Sequence, residues 1–217
     1  PECIIIEKEP VPRWIAGRGT LSKEKMTTMK HENKMIYRVT LTAVFAALVF
    51  VSSMISVPIP VAIGDVTRIH LGNIFCLLSG FVLGPVGGGL AAGLGSALYD
   101  MTNPAYIASA PFTFVFKFLL AAVCGWAAYA RGSRAENHGQ NILAAIAGSA
   151  TYMVLYLGKS FIEGMLLGSA LVPVLLSVGT KAVTSSVNAV IAVVVSVPLC
   201  AAIRLALKKS HLLEKLG

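Results

Sequence analysis

The sequence predicts an all-α membrane protein, a compact bundle of six transmembrane helices with both termini cytoplasmic. Three observations carry this. Of 217 residues, 56% are apolar and only 13% charged, about half the charge of a soluble domain. The apolar residues gather into runs long enough to cross a bilayer, which takes about 20 residues of helix. Lys and Arg gather at alternate ends of those runs. With the termini inside, the inner segments hold Lys30, Lys34, Arg38, Arg131, Arg134, Arg204, Lys208, Lys209 and Lys215, and the outer segments hold Arg68 and Lys181. That bias sets orientation.

Residues 1–34 are polar and mixed in charge, and Met26, Met29 and Met35 precede the first apolar run. They are expected to be a dispensable extension ahead of a membrane domain at 35–217. They lack the basic, apolar, small-residue order of a cleavable signal, so the first span is expected to stay in the mature protein. That span covers Tyr37 to Ile59 and ends at Pro58-Ile59-Pro60. A polar stretch, Ile63 to Arg68, leads into a second helix over Ile69–Leu83, begun by Arg68, His70 and Asn73. A third run, Val86–Leu98, follows Gly84-Pro85. At about 22 Å each, these two runs are either short spans or one bent helix. The fourth run starts after Pro111 and ends at Arg131, ahead of a solvated loop. The fifth covers Ile142 to about Leu171, and the sixth, opened by Lys181, covers Val178 to Leu207 and tolerates Pro198.

Glycines at 80, 84 and 88, and at 89 and 93, stand four apart. In a bilayer such spacing lets helix backbones approach closely. Gly87-Gly88-Gly89-Leu90-Ala91-Ala92 fits G-x-G-x-x-A, but no strand precedes it and no β-α-β unit fits, so a dinucleotide site is disfavoured. Ala43 and Ala47 form a flat strip on the first span that suits packing within the domain or docking onto another subunit. Cys3, Cys76, Cys124 and Cys200 lack metal-ligand or redox spacing. The basic excess forms no block suited to nucleic acid.

Ionisable groups inside apolar runs are the sharper signal, because a charge there is costly and marks function or a paired interior. Arg68, His70, Asp100, Lys117, Lys159, Glu163 and Lys181 all map to the outer half. Tyr152, Tyr156, Lys159 and Glu163 share one helical face, as do Lys181, Ser185 and Asn188. Asn73, Asn103 and Tyr106 lie at the same level. The predicted substrate site is therefore Arg68, His70, Asn73, Asp100, Asn103, Lys117, Tyr152, Tyr156, Lys159, Glu163, Lys181 and Asn188. Five basic groups against two acids favour a carboxylate or phosphate on the ligand. Lys159 and Glu163, four apart, are equally suited to pairing with each other, and Asp100 to pairing with Arg68. Neither a Walker A sequence nor an H-E-x-x-H motif is present, and Ser96 with His70 lacks the setting of an intramembrane hydrolase, so no enzyme, metal or cofactor is expected.

Several stretches together resemble a known family: Ala43-x-x-x-Ala47, Ile69-His70-Leu71-Gly72-Asn73, Leu83-Gly84-Pro85-Val86-Gly87-Gly88-Gly89, and Gly93 to Asp100. Over Tyr37–Leu207 the chain resembles a substrate-binding S component of an energy-coupling factor (ECF) vitamin transporter, nearest to the general and riboflavin-type group. The resemblance implies a bundle in a bacterial-type cell membrane that binds a water-soluble vitamin or precursor. It also implies docking through Ala43 and Ala47 on a membrane scaffold (T) subunit driven by two ATPase subunits. A stand-alone secondary transporter is the alternative, disfavoured because the two halves show no convincing repeat.

Overall fold

Among the described residues, five helices long and apolar enough to cross a membrane run in sequence order: α1 (Met35–Met54), α2 (Gly72–Thr102), α3 (Ala110–Tyr129 behind a 3-10 turn, Ile107–Ser109), α4 (His138–Leu166) and α5 (Leu171–Lys209). Strands β1 (Ser56–Pro60) and β2 (Val66–His70) form an antiparallel hairpin between α1 and α2. This computed structural model describes residues 35–61, 66–104, 106–133 and 135–209, with no account of the side chains of Arg131 and of residues 207–209. The predicted extension, Cys3, Arg134 and Lys215 lie outside them.

The hairpin corrects the sequence reading. α1 stops at Met54, short of the expected Ile59, and Pro58 and Pro60 lie inside β1 instead of ending the helix; Arg68 and His70 belong to β2, and only Asn73 lies in the helix that follows. Both prolines are tolerable because the register pairs Pro58 with Arg68 and Pro60 with Val66. Two residues apart, they point their ring nitrogens to the same edge, which a lone antiparallel partner leaves unpaired.

α2 is broken at Gly84 (φ 76°, ψ −172°), just before Pro85. An unbroken helix would place Cys76 and Ser96 about 30 Å apart. Instead Cys76 Sγ lies 3.8 Å from Ser96 Oγ, and Ser79 Oγ donates to the Gly88 carbonyl at 3.0 Å. Arms 72–83 and 85–102 therefore fold back on each other. Glycine makes this contact possible: a Cβ on Gly88 would sit 2.6 Å from the Cα of Gly80, and one on Gly125 of α3 would sit 2.8 Å from the Gly84 carbonyl carbon. The reversal leaves carbonyls without helical partners. Tyr129 Oη donates to Phe81 O and Val82 O, both at 3.2 Å, and Arg204 Nη2 donates to Phe81 O at 2.8 Å.

The core lies around the α2 hairpin, where Leu77, Leu78, Phe81, Leu120 and Cys124 are fully buried. Cys76 and Cys200 are buried free thiols as well. The α3–α4 connection is tied at both ends. Asn137 caps α4 by accepting from the Gly139 and Gln140 amides, and Gln140 Nε2 donates to Ala127 O and Ala130 O at the end of α3. α5 begins earlier than its apolar run suggests, at Leu171, because Pro173 fits a first helical turn. Lys181 thus stands ten residues inside the helix instead of opening it.

Candidate functional site

Polar side chains converge where the β-hairpin meets α3, α4 and α5, and they enclose a cavity of about 100 Å³. The α5 wall is a buried stripe at helical spacing, Lys181, Thr184, Ser185 and Asn188. α4 contributes Tyr152, Tyr156, Lys159 and Glu163 on one face, and the two tyrosine rings stack in parallel (centroids 5.7 Å apart, 6° between planes). Lys117 of α3 is buried. Its ammonium stands 4.1 Å from the Tyr152 centroid and donates to Asn73 Oδ1. Lys181 lies 5.7 Å from the Tyr156 centroid and donates to Ser160 Oγ at 2.8 Å. Each cation thus meets a π face and a neutral oxygen.

Arg68 reaches in from β2 and stacks between Tyr99 and Tyr106, 4.3 and 4.4 Å from their centroids. Its Nη2 pairs with Asp100 at 2.6 Å, while its Nη1 is buried with no hydrogen-bond partner. Lys159 pairs with Glu163 and lies 3.5 Å from Ser109 Oγ. Both acids of the site are therefore already engaged in ion pairs. Lys117 keeps the character the sequence assigned to it, an ionisable group inside an apolar run, and the structure adds its neutral hydrogen-bond partner, Asn73.

Asn188 has a role that its position on a helix does not announce. Its Oδ1 accepts the His70 backbone N–H at 3.0 Å and its Nδ2 donates to the Arg68 carbonyl at 2.9 Å. One side-chain amide thus serves as the missing strand along the open edge of β2 and fixes the hairpin to α5. His70 itself accepts the Gly72 N–H through Nδ1 at 3.1 Å. Burial, and then the nearby charges of Lys117 and Arg68, hold its imidazole well below the ordinary histidine range.

Ten of the twelve predicted residues line the cavity. Asn73 stands behind it as the support of Lys117. Asn103 is elsewhere, with its carbonyl accepting from the Tyr106 and Ile107 amides in the turn after α2. Sequence reasoning passed over Thr67, which meets Tyr156 Oη at 3.4 Å, and the aromatic wall of Phe112 and Phe116. Thr67 was hard to find because strand alternation puts it on the face opposite to Arg68 and His70. The phenylalanines sit among too many other apolar residues of α3 to stand out. Among the described residues no group of three His, Cys, Asp or Glu side chains is placed to hold a metal ion.

The model of the family described as ECF-type riboflavin transporter, S component, matches residues 33–205. The chain belongs to that family. S components of this family are parts of transporters, not enzymes, and the apolar helices make this one a multi-pass membrane protein. A relative from Pyrococcus woesei, described as an uncharacterized protein in gap 3'region, is 28% identical over 116 residues, which is 54% of this chain and 72% of the relative. The family supports a substrate-binding subunit for a vitamin-like molecule. On α1 of this S component, Ala43 and Ala47 are exposed, whereas Ala46 turns toward α2, where a Cβ on Gly95 would lie 2.3 Å from its carbonyl oxygen.

Proposed function

We propose that this S component binds a vitamin-like ligand bearing a carboxylate or phosphate in the cavity beneath the β-hairpin, as the substrate subunit of an ATP-driven ECF importer in a bacterial-type cell membrane. The single observation that carries the ligand's charge is Lys117. It is a buried ammonium whose acceptor is a neutral amide, placed beside a stacked tyrosine pair that suits a flat apolar body. The buried, unpartnered Nη1 of Arg68 adds a second donor. Lys117 and Arg68 are the proposed anion anchors, with Tyr152 and Tyr156 as platform. Lys181 and Asn188 form the far wall, and Lys159, Glu163 and Asp100 set the local charge.

At about 100 Å³ the cavity is smaller than the roughly 300–1,000 Å³ typical of small-molecule sites. The ligand therefore requires side chains at the mouth to move. Glu163 is the readiest, since its side chain is 48% exposed and an exposed ion pair contributes about 1 kcal/mol or less.

Six spans with both ends cytoplasmic are part of the same reading. The return of α2 at Gly84 supports the count, and the placement of Arg38 and Arg204 around one groove supports a shared side for the two ends. The exposed Ala43–Ala47 strip is the proposed contact with a scaffold subunit, which two ATPase subunits would drive. The test is to purify the protein in detergent, identify retained small molecules by mass spectrometry, and titrate the retained compound back onto stripped protein. A neutral retained compound, or saturable binding indifferent to Lys117→Met, would refute the anionic-ligand reading.

A further inference from the structure

At the end of the bundle away from the cavity, α1 and arm 85–102 flank a groove of about 820 Å³. Ala43, Ala46, Leu90 and Leu94 give it an apolar lining, and Arg38 and Arg204 supply positive charge. Nothing in the ligand site described above uses these residues.

Arg204 is the unusual member. It is 9% exposed, and its hydrogen bonds go to neutral oxygens, Phe81 O at 2.8 Å and Tyr129 Oη at 3.4 Å. Its Nε is buried with no hydrogen-bond partner. The ion pairs formed among the described residues do not include it. A guanidinium so removed from water gains far more from an anion than an exposed one does, and its planar fork suits phosphate oxygens. Arg38, on the exposed first turns of α1, adds a second positive charge at the same groove. An apolar channel on membrane-spanning helices takes up acyl chain as readily as side chain, because lipid tails are as apolar as leucine.

We infer that this groove binds an anionic phospholipid, with an acyl chain along Ala43, Ala46, Leu90 and Leu94 and the phosphate facing Arg38 and Arg204. The chemistry asks for both parts at once, a hydrocarbon tail for the channel and a net negative headgroup for the arginines. A zwitterionic lipid satisfies only the first, and a soluble phosphate only the second. The assignment is independent of which ligand the opposite cavity takes, and it describes the S component apart from its scaffold, because Ala43 is shared with the proposed scaffold contact.

The experiment is native mass spectrometry of the full chain in detergent. The protein is offered equal amounts of phosphatidylglycerol and phosphatidylcholine with the same acyl chains. The expected result is a preference for phosphatidylglycerol. Arg38→Gln should lower that preference about fivefold, the worth of one basic residue near anionic lipid. Ala43→Phe, at an exposed position, should block the channel and reduce retention of both lipids. Arg204→Lys, which keeps the charge, should retain the preference even if Arg204→Gln yields no folded protein. Equal retention of the two lipids would overturn the inference, as would an unchanged pattern in both Arg38→Gln and Ala43→Phe. Displacement of phosphatidylglycerol by millimolar inorganic phosphate would overturn it in favour of a soluble anion. A dimer that binds no lipid would assign the groove to a second copy of the chain.

Discussion

Where arm 72–83 meets arm 85–102, Gly80 and Gly88 bring two backbones together with no side chain between them; where α4 meets α5, Lys181 reaches Ser160 and Asn188 reaches across to the hairpin. The first contact owes its closeness to missing atoms. It has one geometry, because nothing at the contact can rotate. The second is built from long side chains with alternative rotamers and neutral partners, so it can rearrange around a guest. Within one membrane domain, rigidity and receptivity are separated by composition: glycine on one side of the core, lysine, tyrosine and asparagine on the other.

The harshest way to test that contrast is Gly88→Val. Its Cβ would fall 2.6 Å from both the Cα and the nitrogen of Gly80, backbone atoms that cannot swing aside. The expected loss is about 3 kcal/mol or more, read as failure to obtain monodisperse protein on fluorescence-detected size exclusion. A normal elution profile would show that the arms can part.

Asn188→Ala comes next, because it strips two backbone groups of β2 of their partner at once. At about 1–3 kcal/mol for each unsatisfied buried group, a clear drop in melting temperature is expected, together with faster proteolysis between β1 and β2. Asn188→Asp, which keeps the acceptor for His70 N–H and loses the donor to Arg68 O, should fall between. Should ligand affinity drop while melting and proteolysis stay at the native values, Asn188 would be a direct ligand contact and not the hairpin's support.

On the receptive side, Lys117→Met removes a charge without removing bulk. The expected change is in affinity and not in fold: about 10- to 100-fold weaker binding, the worth of one charge-assisted hydrogen bond, with an unaltered elution profile. Isothermal titration separates the two, and a collapse in stability with no change in affinity would reassign Lys117 to the scaffold.

The mildest effect is expected from acid. His70 is held neutral in the fold, below its unfolded value of 6.5. Below that pH the unfolded chain takes up a proton that the folded one refuses. Stability should therefore fall as pH drops from about 6.5 toward the folded value, by at most about 1.4 kcal/mol per pH unit. Melting curves of the native protein and His70→Gln between pH 7.5 and 5.5 should converge, and parallel curves would remove His70 from the account.

These experiments also trace what could be read in advance. The helices were legible because their apolar runs are long: Pro111 marks the start of α3, and Gly84-Pro85 marks a break, although the sequence left open whether it separates two short spans or bends one helix. The lining of α4 and α5 was legible because Tyr152, Tyr156, Lys159 and Glu163 recur at helical spacing amid apolar neighbours. The hairpin was not, because Pro58 and Pro60 read as the end of a helix, and only the β-branched Val57, Ile59, Val66, Thr67 and Ile69 around Gly64-Asp65 hint at strands. The pairing of Arg68 with Asp100 across 32 residues was one of two readings the sequence offered, but spacing could not reveal that Asn188 would spend its amide on a backbone. Long-range partners are set by how the elements meet, and periodicity within one element is silent about that.

The carbonyls freed at the Gly84 reversal carry a consequence for the order of assembly. Phe81 O and Val82 O are served by Tyr129, at the end of α3, and by Arg204, near the end of α5. As the chain leaves the ribosome, the bend is made long before either donor exists, and a bare carbonyl in hydrocarbon is costly. The turn must therefore wait in the headgroup region, hydrated, until α3 and then α5 arrive. The last helix synthesised adds a second, charged donor to a bend near the start of the domain, so a nascent chain cut before residue 204 would hold that bend through Tyr129 alone.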